Sequence, residues 1–163
     1  MHEVRKERIY EKYAWILVGV APVIFIISPI VGGYFIGRPH PAALKTITGL
    51  TLEQIGAENP RIVYLVLQLY RNLGLAWFAL GFIGIAIAAF PFRKGLRFAW
   101  YVSWVWPAYL AGFVVSTAIL TSQLGENSGM LASGPATFVV VLVIALLGQL
   151  LPVRKFFPKE PIT

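Results

Sequence analysis

Apolar residues along this chain gather into four long runs, at about residues 13–36, 70–90, 98–120 and 135–153. Each is close to the ~20 residues a helix needs to cross the ~30 Å hydrocarbon core of a bilayer. Charged residues fall almost wholly in the gaps between the runs. The pattern predicts an all-α integral membrane four-helix bundle. Short gaps after the second and third runs make neighbours antiparallel, so the expected order is up-down-up-down.

The first run is too long for a signal-peptide core, and no A-x-A cleavage pattern follows it. It is preceded by a mixed-charge head. There the Glu7–Glu11 and Arg8–Lys12 spacings suit a short interfacial helix running into the span. Pro22 and Pro29 share one face, and each removes a helical hydrogen bond, so a bend is expected. The longest connection opens with Gly37-Arg38-Pro39-His40-Pro41, which is not regular helix. Thr51-Leu52-Glu53-Gln54 is a capping box, so a short outer-loop helix is predicted at about 51–58.

Asn59-Pro60 supplies the N-cap and first residue of the next element. Running to Phe90, it measures about 46 Å, so its first third protrudes or lies in the interface. Phe90-Pro91 ends it, and Phe92 to Arg97 form a tight basic turn. The third run contains Pro107. A small, polar loop over 121–134 leads to Pro135, which opens the fourth run.

Charge then orients the chain. Four Lys or Arg lie in the N-terminal tail, three in the 91–97 turn and three in the C-terminal tail, ten on one side. The 37–61 region has three and the 121–134 loop none. Positive residues collect on the cytoplasmic side, so both termini are expected there, in a multi-pass protein of the cell membrane. Net charge is +7. Because the basic residues flank spans, anionic lipid headgroups account for them better than nucleic acid does. The composition is 58% hydrophobic over 163 residues, which leaves no polar coat for a separate soluble domain. The absence of cysteine removes disulfides, thiol nucleophiles and thiolate metal sites.

Candidate chemistry is sparse, and no cofactor or metal is implied. Arg61, Gln68 and Asn72 follow one helix face, with Arg71 beside it. They read either as a polar groove in which Arg71 holds an anionic ligand, or as an interface where Arg71 snorkels. Glu53, Glu58 and Glu126 are its possible acidic partners. His40 has no second ligand at a useful spacing and reads as a loop residue. Trp100, Trp104 and Trp106, with Tyr101 and Tyr109, read either as an aromatic-lined pocket or as an interfacial belt with packing. Ser103, Ser116 and Thr117 can satisfy helix carbonyls. Gly81, Gly84 and Ala88 on the second span, and Ala108, Gly112 and Ser116 on the third, are small-residue faces suited to close helix contact. No Asp or Glu lies inside a span, which weighs against a proton relay or cation-coupled transporter.

The stretch Phe90-Pro91-Phe92-Arg93-Lys94-Gly95-Leu96-Arg97-Phe98-Ala99-Trp100-Tyr101 resembles a turn motif of small four-span membrane proteins of bacteria and archaea. Thr48-Gly49-Leu50-Thr51 and Asn59-Pro60-Arg61 are similar to the same group, so the resemblance covers about 48–107. Phe98 stands where that pattern has Trp. The resemblance implies architecture and no activity. Three functions remain in play. They are a non-catalytic accessory subunit or assembly factor of a larger membrane complex, a binder or enzyme for a lipid-soluble molecule such as a lipid or quinone, and a transporter or channel component.

Overall fold

Glycine and proline decide where the helices stop. The computed structural model describes residues 8–37, 39–124 and 134–158. The head before Arg8, with His2 and Glu7, lies outside these residues, as do Arg38, most of the 121–134 loop with Glu126, and Lys159. Helix α1 spans Ile9–Val31, and the Arg8 amide donates to Glu11 Oε2 (2.9 Å) across its first turn. It ends earlier than the expected boundary near 36. Gly33 takes φ 70°, the chain makes a 3-10 turn over Tyr34–Ile36, and Gly37 again takes φ 70°. These left-handed positions are open to glycine at little cost.

A helix that the sequence reading left out follows. Helix α2 spans Pro41–Thr48, with Pro41 pre-set for the first turn and Gly49 at φ 74° closing it. Helix α3, Leu52–Glu58, forms where the capping box placed it. Gln54 N–H donates to Thr51 Oγ1 (3.3 Å), and Thr51 N–H donates to Gln54 Oε1 (2.8 Å). Asn59 Oδ1 then accepts from Arg61 N–H (3.1 Å) and caps α4, Pro60–Ile87.

Pro91 does not end that helix at once. It lacks the N–H that would reach the Ile87 carbonyl, and its ring crowds that carbonyl. The helix answers by widening into a π turn over Ala88–Phe92, where Arg93 N–H bonds back to the Ala88 carbonyl (3.2 Å). Gly95, at φ 76°, completes the turn. The third apolar segment is broken likewise. Helix α5, Arg97–Ser103, is separated at Trp104 from α6, Val105–Leu124, because Pro107 cannot donate to the Ser103 carbonyl. Helix α7 covers Gly134–Leu150 and α8 covers Val153–Phe156.

The described residues contain helices and no strand. Four segments, Ile9–Val31, Pro60–Phe92, Arg97–Leu124 and Ala136–Phe156, are long and apolar enough to cross a membrane. By length and composition this is a multi-pass, all-helical membrane protein. Helix α1 is the hub, packing against α4 and α7, while α6 packs against α7. Small residues permit the close approaches. A Cβ at Gly81 would lie 2.8 Å from the Pro22 carbonyl, and one at Gly148 would lie 2.9 Å from Val18 N. Ala14, Val18, Ala88, Phe92, Ala99 and Phe156 form a core at the end bearing Arg93 to Arg97, hereafter the basic end. Ala21, Phe25, Trp106, Leu110, Val141 and Ala145 form a second core further along.

Candidate functional site

Aromatic rings fill the space between α1, α4 and α6. Phe25 is the centre, with Trp77, Trp106 and Tyr109 at centroid distances of 5.3, 5.1 and 5.1 Å. The Trp77 Nε1–H donates to Tyr109 Oη (3.0 Å), so its one polar group is satisfied. Tyr34 continues the stack, between Tyr70 and Trp77, by lying against Gly74. The three candidate tryptophans separate. Trp106 is 4% exposed and packs on Phe25 and against Gly84. Trp100 and Trp104 stand edge-on to each other nearer the basic end, with Phe157 against Trp100. The structure does not bring all three into one pocket.

A buried polar trio ties α5 to α7. Gln149 Nε2–H donates to the Ser103 hydroxyl, which donates to the Trp100 carbonyl (3.0 Å). Trp100 Nε1–H donates to the Gln149 carbonyl (3.0 Å). Gln149 and Ser103 are each 1% exposed, and Gln149 Oε1 has no hydrogen-bond partner among the described residues. Sequence reasoning did not single out Gln149. The signal was an amide in a run whose only other polar side chain is Thr137.

The polar residues of α4 remain at its surface. Gln68 Nε2–H donates to Asn72 Oδ1 (3.1 Å), one turn apart. Arg71 is exposed and lies over Gly37, and Arg61 stands apart at the exposed start of the helix. Among the described residues Arg71 forms no ion pair with Glu53 or Glu58. A cavity of 630 Å³ at this end is lined instead by His40, Lys45, Thr51 and Glu53, with Val31 and Leu52 among the apolar walls. The Glu53 carboxyl is held below the usual carboxylate range, first by its own backbone N–H and then by the Thr51 hydroxyl. No group of three His, Asp or Glu side chains suited to a metal occurs among the described residues.

The two small-residue faces have opposite fates. Gly81, Gly84 and Ala88 are buried inside the molecule, with Gly81 and Gly84 covered by Pro22, Ile26 and Trp106. Ala108, Gly112 and Ser116 are exposed on α6, beside exposed Val115 and Ile119, and nothing lies within 4 Å of a Cβ placed on Gly112. Thr117, Thr121 and Ser122 return their hydroxyls to carbonyls of their own helix, as expected for such side chains in a span. The Ser116 hydroxyl makes no hydrogen bond to any described residue.

No family model matches the chain, and no curated protein or solved structure matches it at a significant level.

Proposed function

We propose that this protein is a non-catalytic structural or accessory subunit, or an assembly factor, of a larger membrane complex. The observation that carries this reading is the exposed Ala108-Gly112-Ser116 face of α6. In lipid, helices associate through close packing and polar contacts, because acyl chains are as apolar as leucine. An open glycine one turn from a serine hydroxyl that bonds to no described residue offers both. The equivalent face on α4 is consumed internally by α1. The interior gives less support to a lipid-soluble ligand among the tryptophans, because Phe25, Trp77, Trp106 and Tyr109 occupy that space themselves.

In the same reading the four spans alternate in direction, with both termini on the cytoplasmic side of the cell membrane. The basic-end charges support that orientation. The contact pairs support the alternation. Tyr34 meets Gly74, Pro22 meets Gly84 and Arg93 meets Trp15, so contacts run in opposite senses along α1 and α4. Likewise Arg97 meets Phe156 while Phe113 meets Phe138. The test is extraction of wild-type protein and Gly112→Leu in mild detergent, with particle mass measured in each. The wild type should run in a larger assembly and the variant alone, still folded. A wild type that runs alone at every concentration would remove the subunit reading.

A further inference from the structure

The basic end holds a second feature, independent of the α6 face. A cavity of 270 Å³ there is lined by Lys12, Tyr13, Trp15, Arg93 and Lys155. Its three cations come from three separate elements, α1, the turn after the π segment, and α8. Each is placed by local structure. The Arg93 guanidinium lies over the Trp15 ring, 5.5 Å from its centroid, and Lys12 Nζ is 5.4 Å from the Tyr13 centroid. The stem of Lys155 runs along Gly95, where a Cβ would meet its Cε at 3.3 Å. Among the described residues no carboxylate lines the cavity, and Glu11, buried in the first turn of α1, and Lys155 each have a partner within the protein.

Trp15 also lines a second space, an apolar groove of 410 Å³ between α1 and the end of α4. Its walls include Gly19, Val23, Ile85, Ala88 and Ala89. The groove is open because small residues leave it so, and a Cβ on Gly19 would touch nothing within 4 Å. From Trp15 to Ile24 it runs about 14 Å along α1, roughly half of the ~30 Å hydrocarbon core. That is the depth of one leaflet.

We propose that these two spaces form one binding site for an anionic phospholipid. The phosphate sits among Lys12, Arg93 and Lys155, and one acyl chain lies in the groove below Trp15. Convergent cations recognise phosphate oxygens through charge-assisted hydrogen bonds. An apolar groove that shares Trp15 as a wall with the cationic cavity fits, together with it, a molecule with a charged head and an apolar tail. A soluble phosphate would use the cavity and leave the groove without purpose.

Native mass spectrometry of the full chain, released from micelles doped with phosphatidylglycerol or phosphatidylcholine, tests this. The wild type should retain one phosphatidylglycerol at least tenfold more readily than phosphatidylcholine. Lys12→Gln with Arg93→Gln should erase that preference. Gly19→Leu, placed in open space, should reduce phosphatidylglycerol retention severalfold with the helical circular dichroism unchanged. Millimolar inorganic phosphate should leave lipid retention unchanged. Equal retention of the two lipids by the wild type would overturn the proposal, and that comparison stands even if the double variant does not fold. Displacement of lipid by inorganic phosphate, or no effect of Gly19→Leu, would overturn the lipid assignment.

Discussion

Gln149 donates to Ser103 from a buried position where its own amide oxygen has no partner among the described residues. A buried polar atom without a partner costs roughly 1–3 kcal/mol, whereas a made hydrogen bond contributes about 1 kcal/mol. The two residues therefore have unequal sensitivities. Gln149→Leu removes the orphan together with the bond and should leave the unfolding midpoint in detergent nearly unchanged. Ser103→Ala strands the Gln149 amide nitrogen as well and should destabilise by about 1 kcal/mol, within the range seen for interhelical bonds in membranes. The double substitution should recover most of that loss. A larger loss from Gln149→Leu than from Ser103→Ala would contradict this account.

Much of the fold was legible in the chain because its signals are local. The four apolar runs, the Thr51–Gln54 capping box and the Asn59-Pro60 start are read within a few residues. The failures were also local in part. Pro41 and Gly49 bracket a helix with the N-terminal proline and C-terminal glycine that such helices prefer, a signal overshadowed by the irregular run from Gly37 to Pro41. Pro91 reads as a stop in the sequence, yet a widened turn accommodates it. The site was legible only as lists of residues. Which small-residue face is spent internally depends on where Pro22 and Trp106 arrive, far away in sequence. The grouping of Lys12, Arg93 and Lys155 needs three elements folded together, so no spacing in one segment announces it.

Orientation can be tested directly, since the chain has no cysteine to remove. Glu58 on α3 and Lys94 in the basic turn are both exposed. In intact cells, Glu58→Cys should react with a membrane-impermeant thiol reagent. Lys94→Cys should react only after permeabilisation, as the charge distribution requires. The reverse labelling pattern would invert the proposed topology.

Gly37 should resist substitution for two additive reasons. Its φ of 70° costs other residues about 1–2 kcal/mol. A Cβ there would also stand 3.0 Å from the Leu67 carbonyl and 3.1 Å from Arg71 Nε. Gly37→Ala should therefore destabilise by at least about 1 kcal/mol, measured as a fall in the unfolding midpoint. Adding Arg71→Ala relieves only the side-chain contact, so most of the loss should persist. Full rescue by the second change would mean that crowding, not backbone conformation, fixes the glycine.

Gly84 and Gly112 offer the sharpest contrast, because both are helix glycines and only one is covered. At Gly84 even a methyl group would overlap the Trp106 ring and the Pro22 ring, which are themselves buried. Neither ring is the loose end of a flexible chain, so relief needs α1 or α6 to shift. Overpacking of this kind costs about 1–3 kcal/mol. Gly84→Ala should lower the unfolding midpoint of the isolated protein. At Gly112 the added carbon meets nothing, and alanine has the higher helix propensity by about 1 kcal/mol. Gly112→Ala should therefore leave the isolated protein as stable as the wild type or slightly more so. Gly112→Leu should still fold and insert, while losing its place in any assembly that packs against α6. Comparing folded yield with assembly mass separates the roles: Gly84 variants lose both together, and Gly112→Leu loses only the second. If Gly112→Leu unfolds the isolated protein, the α6 face is an internal surface and the subunit reading loses its support.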